Sequence, residues 1–351
     1  EMALCLVGSE MCIRDSYKSF TYLSLDDSLC AYRLSQAIFS LYHLKIPEYL
    51  QQQGSQNLLQ LAQALKIDYV ILEHLLEIAI TLNLIEKDEQ NYYKLSSEGL
   101  RLCPDTPNSV IPILTHHDYG YKAWGELTNS LRTGKTAFEQ VYEQDIFSYF
   151  RQNSEQNLLF NRFMEQTTQA WLATLEVEKS YNFSGHVIDI GGNIGALSAL
   201  LLQQFPELQA TVFDLEQAMV GAENLLSNAG VSERCSLVTG SFFEPETIPK
   251  NGDIYLISRV LLNWNDEKVK EILKNCYNVM PSESKLLILD FILFDTISTS
   301  ELLASLNLWV MFGARFRRKH EFEQLLQESG FTSLRWIHLN EMIFFLEAIP
   351  A

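Results

Sequence analysis

The feature that most constrains the fold of this chain is a glycine-rich turn between a short apolar strand and an apolar helix. The strand is His186–Ile190, the turn is Gly191–Gly195 (Gly-Gly-Asn-Ile-Gly), and the helix follows over Ala196–Gln204. Glycines in such a turn let the backbone approach a ligand, and the helix N-terminus offers unpaired N–H groups. Asn193 occupies an inner position of the turn, where Asn tolerates left-handed backbone angles better than most residues. The three segments predict the nucleotide-binding opening of a doubly wound α/β sheet.

A second strand, Leu208–Phe213, ends at Asp214, an acid placed to accept hydrogen bonds from both hydroxyls of a ribose. Strands and helices then alternate toward the C-terminus, which predicts a mostly parallel α/β sheet. The last two strands, separated by residues 339–341, predict an antiparallel hairpin at the sheet edge. A dinucleotide-binding fold for NAD is the alternative, and it fits less well because the glycine spacing is G-G-x-x-G. The remaining predicted strands are Ser236–Val238, Asp253–Ser258, Lys285–Phe291, Leu334–His338 and Met342–Glu347, and the helices are Glu216–Asn228, Asn265–Met280 and Lys319–Ser329.

The N-terminal third predicts helices followed by a two-stranded wing, the outline of a winged helix-turn-helix. Apolar residues recur at helical spacing, Pro47 marks a helix boundary, and Asp68 can cap a helix. Residues 84–95 predict two short strands around a polar tip. The predicted helices are Asp27–Leu50, Leu58–Leu65 and Tyr69–Leu82. In the third of them, the residues expected to face inward are Val70, Ile71, Leu75, Ile78 and Ala79.

Winged-helix units often bind DNA, but the charge of this chain argues against that function. The chain has 26 Lys and Arg against 44 Asp and Glu, a formal net charge of −18, which repels phosphate backbones and anionic lipid. The helix predicted over Tyr69–Leu82 contains no Lys or Arg. The helix predicted over Asp27–Leu50 is apolar on more than one side, which favours burial against a second subunit. We therefore expect a homodimer formed through the N-terminal domain, with no nucleic acid and no membrane as partner.

Chain length, cysteine content and the N-terminal segment limit the domain number and the class of protein. The 351 residues suffice for two domains. The six cysteines are scattered without C-x-x-C pairs or zinc-ligand spacing, so we expect a reduced, cytoplasmic protein with no metal site. No apolar run approaches the roughly 18 residues that span a bilayer. The domains expected are a tag or artefact tail over 1–16, the winged helix over 17–105, a helical connector to the substrate pocket over 106–180, and the nucleotide-binding sheet over 181–351.

The helical connector carries two adjacent histidines, His116 and His117. Adjacent residues cannot both face the core of a helix, so at least one of them is expected to be exposed or in a cleft. A neutral imidazole near pH 7 suits proton transfer, which makes both candidates for a catalytic base. Capping or hydrogen bonding within the helix is the alternative.

The C-terminal half contains four sequence motifs that belong together. They are Asp189-x-Gly191-Gly192-x-x-Gly195, Phe213-Asp214-Leu215, Gly240-Ser241-Phe242-Phe243, and Ser258-Arg259-Val260-Leu261-Leu262-Asn263-Trp264, supported by Phe160-Asn161-Arg162-Phe163-Met164 and by Glu321-Phe322 with Gly330-Phe331. Over residues 31–349 the chain thereby resembles the S-adenosylmethionine-dependent O-methyltransferases of the plant caffeate and the bacterial hydroxyneurosporene and acetylserotonin type. The resemblance implies an α/β protein with an N-terminal helical winged-helix dimerisation domain followed by a Rossmann-like seven-stranded methyltransferase domain.

The same resemblance implies S-adenosyl-L-methionine as cofactor and assigns residues to it. The glycine loop would hold the methionine part, Asp214 the ribose, and the segment Gly240–Phe242 the adenine, with Ser241 in place of the usual acid. Ser258 falls where many relatives have Lys or Ser near the adenine or the cofactor carboxylate. The cofactor-binding residues expected are Asp189, Gly191, Gly192, Gly195, Asp214, Leu215, Gly240, Ser241, Phe242 and Ser258.

Two departures from the family pattern concern the catalytic base. The family's base is a His followed by Asp-Trp, and here Leu262 and Asn263 occupy those two positions. Phe316 occupies the position of a Glu that orients this His. A Leu cannot accept a proton, and a general base contributes about 10²–10⁴ in rate. Three explanations stay open: an acceptor that is already ionised or reacts through carbon, a proton transfer to His116 or His117, and a non-methyl reaction (rearrangement, decarboxylation or hydroxylation) or a catalytically silent subunit.

The expected substrate pocket is apolar and aromatic, which suits a flat hydrophobic small molecule. Arg315, Arg317 and Arg318 lie near the same region and could hold a substrate carboxylate, or they form a solvated basic turn. The activity that follows is methylation, chiefly O-methylation, of a small hydrophobic or aromatic acceptor. The residues expected to line the pocket are Trp124, Phe160, Met164, Leu262, Trp309 and Phe312.

Overall fold

The computed structural model describes residues 24–104, 106, 108–172, 181–293, 297–339 and 343–351. The chain divides into two compact units, one ending at Tyr119 and the other beginning at Gly120. The tail over residues 1–16, expected to be a tag, lies outside the described residues.

The N-terminal unit is a helical domain with a small antiparallel sheet. Its elements are α1 (Leu25–Cys30), α2 (Tyr32–His43), α3 (Ile46–Gln53), β1 (Gln56–Asn57), α4 (Leu58–Leu65), α5 (Tyr69–Thr81), β2 (Ile85–Lys87), β3 (Tyr92–Leu95) and a 3₁₀ turn (Gly99–Leu102). Strand β3 pairs with β2 and with β1, so the predicted wing is confirmed. The second predicted helix, which is α4, has the expected bounds, and Asn57 and Gln60 cap it reciprocally.

The single helix predicted over residues 27–50 is wrong, because three short helices cover this range. Helix α2 ends at His43, Lys45 adopts a left-handed conformation with φ of 56°, and α3 has Pro47 in its first turn. A left-handed residue cannot continue a right-handed helix, and proline has no N–H to donate to the preceding turn. The helix boundary predicted at Pro47 is therefore confirmed.

Helix α5 is capped as predicted but buries a different face. Oδ1 of Asp68 accepts hydrogen bonds from the backbone N–H groups of Val70 and Ile71 at 3.0 and 3.2 Å. The buried stripe follows Leu72 and Leu76 instead of starting at the first apolar residues. Because the helix is apolar almost all round, spacing alone could not choose its inner face. Of the residues predicted to face inward, Ala79 is buried, whereas Val70, Ile71 and Ile78 are exposed.

A helical region follows, as the sequence predicts for the connector. Its helices are α6 (Ile111–Gly125), α7 (Leu127–Thr133), α8 (Ala137–Tyr142), α9 (Ile146–Gln152) and α10 (Ser154–Leu172). Helix α6 spans the boundary at which the two compact units meet in the chain.

The C-terminal unit is built on a mixed sheet. Its strands are β4 (His186–Ile190), β5 (Gln209–Asp214), β6 (Cys235–Thr239), β7 (Ile254–Ser258), β8 (Lys285–Leu293), β9 (Arg317–Arg318), β10 (Phe331–His338) and β11 (Ile343–Pro350). The strand order is β10-β11-β8-β7-β4-β5-β6, and the short β9 pairs with β8. Strands β8, β7, β4, β5 and β6 are parallel, while β10 and β11 form an antiparallel hairpin at one edge. The predicted sheet and closing hairpin are confirmed; residues 340–342, including the predicted strand start Met342, lie outside the described residues.

The helices of this unit are α11 (Ala196–Gln204), α12 (Ala222–Asn228), α13 (Asp266–Val279), α14 (Thr299–Phe312) and α15 (Lys319–Glu328). All but α14 contribute to the cores on the two faces of the sheet, and α14 packs in a cluster with Leu262 and Phe316. Successive residues of β4 point to opposite faces: Ile188 and Ile190 pack in the core with α13 and α15, whereas Val187 packs in the core with α11 and α12. Burial on both faces explains why the central strands are continuously apolar in sequence.

The helix predicted to begin at Glu216 begins at Ala222 instead. Residues 215–221 form turns, and Gly221 has φ of 97°. Two backbone carbonyls of this segment, at Gln217 and Ala218, accept hydrogen bonds from asparagine side chains of α10 at 2.7 and 3.1 Å. These contacts and the left-handed glycine hold the segment in a non-helical conformation against α10.

Candidate cofactor and substrate site

A cleft lies at the carboxyl ends of β4 and β7, against α10. In open α/β sheets this is the edge at which ligands bind. The cleft brings together several residues that the sequence assigned to one site. Among the residues lining it are Asp189, Gly191, Gly192, Ser258 and Met164.

The glycine loop between β4 and α11 depends on glycine because of its own packing. Gly191 and Gly195 have φ of 73° and 79°, and Asn193 has φ of 53°, as expected for a residue that tolerates this conformation. A Cβ on Gly191 would lie 2.6 Å from Cγ2 of Val260. A Cβ on Gly192 would lie 2.8 Å from the carboxylate of Asp189. The loop is therefore a cradle that only glycine can form at these two positions.

Asp189 lies buried beneath this loop. Its Oδ2 accepts a hydrogen bond from the hydroxyl of Ser198 at 2.6 Å, while no described residue donates a hydrogen bond to its Oδ1. Burial raises the pKa of Asp189 to about 6, and the guanidinium of Arg259 acts in the opposite direction. An acceptor oxygen without a donor costs free energy. This atom fits a ligand that brings a positively charged N–H donor.

Asp214, at the end of β5, is tied to the glycine loop. Its Oδ2 accepts a hydrogen bond from the backbone N–H of Asn193 at 2.8 Å, and its Oδ1 accepts one from the backbone N–H of Leu215 at 2.7 Å. Removal of water by the surrounding protein raises the pKa of Asp214 to about 6, against the effect of these two bonds. Each carboxylate oxygen keeps further lone pairs, so the group can still accept ribose hydroxyls.

The segment expected to hold adenine lies at the end of the neighbouring strand β6. The N–H of Gly240 donates to the carbonyl of Asp214 at 3.1 Å, and a Cβ on Gly240 would lie 2.6 Å from Oγ1 of Thr247. Oγ of Ser241 accepts a hydrogen bond from the N–H of Phe243 at 3.2 Å. The hydroxyl of Ser241, expected from the sequence to stand in place of the family's acid, therefore takes part in the turn. Phe242, the third residue of the segment, packs against Phe243 and Trp264.

Arg259 is a partly buried cation at the wall of the cleft. It has a left-handed φ of 54°, which is unfavourable for a side chain of this size. Its guanidinium donates hydrogen bonds to the hydroxyls of Thr167 and Thr168 on α10. Burial lowers the pKa of Arg259 to about 10, while Asp290 and Asp189 act in the opposite direction. The cation thus lies near two buried carboxyl groups.

Asp290, near the end of β8, is the third buried carboxyl group of this edge. Its Oδ1 accepts a hydrogen bond from the N–H of Phe291 at 2.8 Å. Burial raises its pKa to about 7, and the backbone of Leu262 and the guanidiniums of Arg317 and Arg259 lower it. The carboxyl group is therefore adjacent to the turn that carries Leu262.

The two positions that depart from the family pattern meet in one apolar cluster. Leu262, Phe316 and Leu308 are buried together, with Phe291 and Phe312 packed against them. The rings of Phe291 and Phe316 stack with centroids 5.2 Å apart. Leu262 and Phe316, expected from the sequence to stand at the positions of the family's His and Glu, thus belong to one apolar cluster.

Arg315 and Arg317 do not hold a substrate carboxylate, because other groups already engage them. The guanidinium of Arg317 is 1% exposed and donates to Asp266 at 2.8 Å and to the carbonyls of Leu261 and Trp264 at 2.8 and 2.6 Å. Arg315 makes two hydrogen bonds to Glu321 on α15 at 2.6 and 3.0 Å. A solvated basic turn is also the wrong description of Arg317.

The residues expected to line the substrate pocket fall into three groups. Leu262 and Phe312 belong to the apolar cluster. The indole N–H groups of Trp124 and Trp309 bind Asn307 and Ser130 at 2.8 and 3.0 Å, so both indoles are fixed at α14. Phe160 and Met164 lie one turn apart on α10, where Phe160 stacks on Phe150 at 4.6 Å and Met164 lines the cleft.

The two histidines lie in the N-terminal unit, and their environments differ. His116 is buried, and its Nδ1 is 2.6 Å from the hydroxyl of Tyr119. Burial lowers the pKa of His116 to about 3, with a smaller contribution from His117, so His116 is a weak proton acceptor at neutral pH. His117 is exposed, although nearby protein still lowers its pKa. The expectation that at least one of the pair is exposed is confirmed.

Comparison with known proteins identifies two domains. Residues 124–332 match an O-methyltransferase domain, and residues 27–102 match an O-methyltransferase dimerisation domain. The chain belongs to the O-methyltransferase family. It is an S-adenosylmethionine-dependent O-methyltransferase, and the fold implied by the resemblance is confirmed. The donor-free oxygen of Asp189 and the glycine cradle fit this cationic cofactor.

Curated relatives agree with this assignment. The chain is 33% identical to O-demethylpuromycin-O-methyltransferase of Streptomyces alboniger over 79% of this chain and 75% of the relative. It is 30% identical to a phenazine O-methyltransferase of Lysobacter antibioticus over 80% and 82% of the two chains. Among solved structures, mitomycin 7-O-methyltransferase matches with a TM-score of 0.81 at 29% identity over 97% of this chain and 99% of that one.

Two searches of the described residues concern other classes of protein. Among the helices in the described part of the chain, none has the length and apolar character needed to cross a membrane. No group of three or more His, Cys, Asp or Glu side chains in the described ranges could hold a metal ion.

Sequence reasoning missed three residues of this site, although two of them lie within the quoted motifs. Arg259 directly follows Ser258, and Asn161 directly follows Phe160. A basic residue beside a strand-end motif was a usable signal for Arg259. Asp290 gave a weaker signal, an acid within an otherwise apolar central strand, which is rarely buried without a partner.

Proposed function

We propose that this enzyme methylates an oxygen atom of a small, flat, apolar or aromatic acceptor that is acidic enough to reach the site largely ionised. The observation that carries this proposal is the apolar cluster at Leu262 and Phe316. Neither side chain can accept a proton, and both are buried in this cluster. The acceptor's proton is therefore lost to solvent or to another group before the methyl group is transferred.

Bound cofactor supplies an electrophilic methyl group on a positively charged sulfur. The residues of this chain bind and orient it: the loop Gly191–Gly195 with Asp189 holds the methionine part, Asp214 with Leu215 holds the ribose, and Gly240–Phe242 holds the adenine. Ser258 lines the cleft together with Asp189 and the glycine loop. With the cofactor bound, its methyl group would pass to the ionised acceptor oxygen, and S-adenosylhomocysteine would leave as a neutral sulfide. Positioning of the two reactants supplies most of the acceleration.

The acceptor class is supported by the groups near the cleft and by the relatives. Met164 lines the cleft, Phe160 lies one turn before it on α10, and Leu262 and Phe312 belong to the apolar cluster. Trp124 and Trp309 add indole rings whose N–H groups are already used. The named relatives act on puromycin, mitomycin and phenazine compounds, which supports a ring-containing acceptor for this chain.

A series of phenols and carboxylic acids of graded acidity tests the proposal. S-adenosylhomocysteine formed from S-adenosylmethionine is measured by mass spectrometry at pH 7. We expect the rate to rise steeply with acceptor acidity, because an ordinary phenol with a pKa of about 10 is protonated at this pH. Fast methylation of a simple phenol would show that a base acts, and His117→Ala and His116→Ala are then compared. If the cofactor binds but no acceptor yields product, a non-methyl reaction or a silent subunit replaces this proposal.

We further propose a homodimer formed through the N-terminal unit. The dimerisation domain supports it, as do exposed apolar side chains on α1, α2 and α5. A cytoplasmic location is proposed with it, supported by the free thiols of Cys30, Cys103, Cys235 and Cys276. The most exposed apolar residues of those helices are Leu25, Leu29, Tyr32, Leu34, Tyr69, Val70 and Ile71.

A further inference from the structure

Two asparagines connect the glycine loop to α10. Nδ2 of Asn193 donates a hydrogen bond to Oδ1 of Asn161 at 2.9 Å. Nδ2 of Asn161 in turn donates to the backbone carbonyl of Ala218 at 3.1 Å. Asn161 is 3% exposed, so neither end of its amide can turn toward solvent. The loop, the helix and the segment after β5 are thus joined by one chain of amide hydrogen bonds.

The carbonyl of Ala218 sets the orientation of both side-chain amides. A carbonyl only accepts hydrogen bonds, so Asn161 must present its NH₂ group to it and its oxygen to Asn193. Asn193 must then present its own NH₂ group to Asn161, which directs its Oδ1 away from α10. This oxygen is buried, and within the described part of the chain no group donates a hydrogen bond to it. The site therefore keeps an acceptor that the protein itself leaves unfilled.

A second unfilled acceptor belongs to the same cleft. Asp189 and Asn193 both line it, and Oδ1 of Asp189 also lacks a donor among the described residues. One acceptor is a carboxylate and the other an amide carbonyl, a pair that matches a protonated amine with its three N–H donors. The ribose hydroxyls have their own acceptor in Asp214, to which Asn193 is bound through its backbone.

We propose that Oδ1 of Asn193 accepts a hydrogen bond from the α-ammonium group of the cofactor's methionine part, and that Asn161 is a positioning residue that orients this oxygen. The inference rests on the proposed function, since it needs S-adenosylmethionine in this cleft. The protein would thus recognise the amino-acid end of the cofactor through the side chain of Asn193. Glycine could adopt the same backbone conformation at this position but would lack that side chain.

Calorimetry with two related ligands tests the proposal. S-adenosylhomocysteine carries the amino-acid part, whereas 5′-methylthioadenosine has the same nucleoside and thioether without it. Asn193→Gly removes the amide and keeps the left-handed conformation, so the fold is retained. We expect this variant to bind S-adenosylhomocysteine about ten- to one-hundredfold more weakly, the loss for one hydrogen bond to a charged group. Its affinity for 5′-methylthioadenosine should stay within about twofold of the wild-type value.

The positioning role of Asn161 has a matched control on the same helix. Asn157 lies one turn earlier on α10, and its side chain donates a hydrogen bond to the carbonyl of Gln217 at 2.7 Å. This bond is not part of the chain that links Ala218, Asn161 and Asn193. Both asparagines hold the same segment, and only Asn161 contacts Asn193. We expect Asn161→Ala to weaken S-adenosylhomocysteine selectively, as Asn193→Gly does, while Asn157→Ala leaves the ratio of the two affinities unchanged.

The outcomes separate this inference from the proposed function. If wild-type protein binds neither S-adenosylmethionine nor S-adenosylhomocysteine, the proposed function fails. If wild-type protein binds them and Asn193→Gly weakens both test ligands equally, the side chain acts on the nucleoside or on the loop, and the inference is overturned while the function stands. Unchanged affinity in Asn193→Gly overturns it as well. An unchanged ratio in Asn161→Ala overturns the positioning role.

Discussion

Gly191→Ala is the substitution whose cost the structure defines most closely. The added methyl group would lie 2.6 Å from Cγ2 of Val260, and φ at this position is 73°. A left-handed backbone costs alanine about 1–2 kcal/mol. Forcing a methyl group into a packed core costs about 1–3 kcal/mol more. We therefore expect the free energy of unfolding to fall by about 2–5 kcal/mol.

Gly221→Ala is the matched control for the backbone contribution. Gly221 also has a left-handed φ, 97°, but a Cβ there would have no atom within 4 Å. Its substitution should therefore cost only the strain of about 1–2 kcal/mol. Urea denaturation of both variants and of the wild type, followed by circular dichroism, measures the difference.

Val260→Ala then tests which atoms cause the remaining loss. On its own this substitution should destabilise the protein, because it removes buried methyl groups. In the double variant, the loss of unfolding free energy should be smaller than the sum of the two single losses, since the shortened side chain at position 260 leaves room for the new methyl group at position 191. Equal costs of Gly191→Ala and Gly221→Ala, or strict additivity with Val260→Ala, would refute the collision as the reason for glycine. The expectation from the sequence, that glycine is needed for the close approach of a ligand to the backbone, would then remain as the reason.

The remaining predictions concern the base, the cofactor, the dimer and the turn at the site. Leu262→His with Phe316→Glu should flatten the dependence of rate on acceptor acidity, measured with the same phenol series, and an unchanged slope would contradict the assigned positions. Because the pKa of Asp214 is raised to about 6, its folded form holds a proton that the unfolded form releases near its ordinary pKa of about 4. This carboxyl group therefore lowers stability as pH rises from 4 to 6, and a cationic ligand favours its ionised form. Calorimetric affinity for S-adenosylmethionine should accordingly increase between pH 5 and 7, with a shallower slope in Asp214→Asn. Leu29→Glu should convert the dimer to monomer in light scattering, whereas a persistent dimer would place the interface elsewhere. Arg317→Met should lower the free energy of unfolding by about 2–4 kcal/mol, because it leaves the backbone carbonyls of Leu261 and Trp264 without their donor.

The fold could be predicted from the sequence wherever one local rule decided the answer. The glycine loop, the strand-end acid and the closing hairpin each have a distinct signature, and all three occur as expected. The prediction of one helix over residues 27–50 was wrong because the apolar spacing continues through Lys45. The left-handed conformation of this residue cannot be detected from that spacing. The start of α12 failed for a different reason, since contacts from α10, 60 residues earlier in the chain, hold the preceding segment.

The candidate site was predictable in its cofactor part and less so in its chemistry. Motifs locate Asp189 and Ser258 because strand ends of a parallel sheet meet at one edge. They do not say that Arg317 would be buried and bonded to backbone carbonyls, since a charged residue in sequence suggests solvent. Nor do they show that Leu262 and Phe316 lie in one apolar cluster, because the two residues are far apart in the chain and the fold brings them together.

The hydrogen bonds of Arg317 support the backbone of the turn around Leu262 without using the side chain at that position. The two carbonyls it binds belong to the main chain on either side of Leu262, and the preceding residue is Phe316. Main-chain acceptors are the same whatever side chain stands at positions 262 and 316. Substitutions there leave these two hydrogen bonds in place, so their cost falls on the packing of the apolar cluster and not on the main-chain support of the turn. If the proposed function holds, the side chain at position 262 can change the chemistry of the site while Arg317 keeps the backbone of the turn in place.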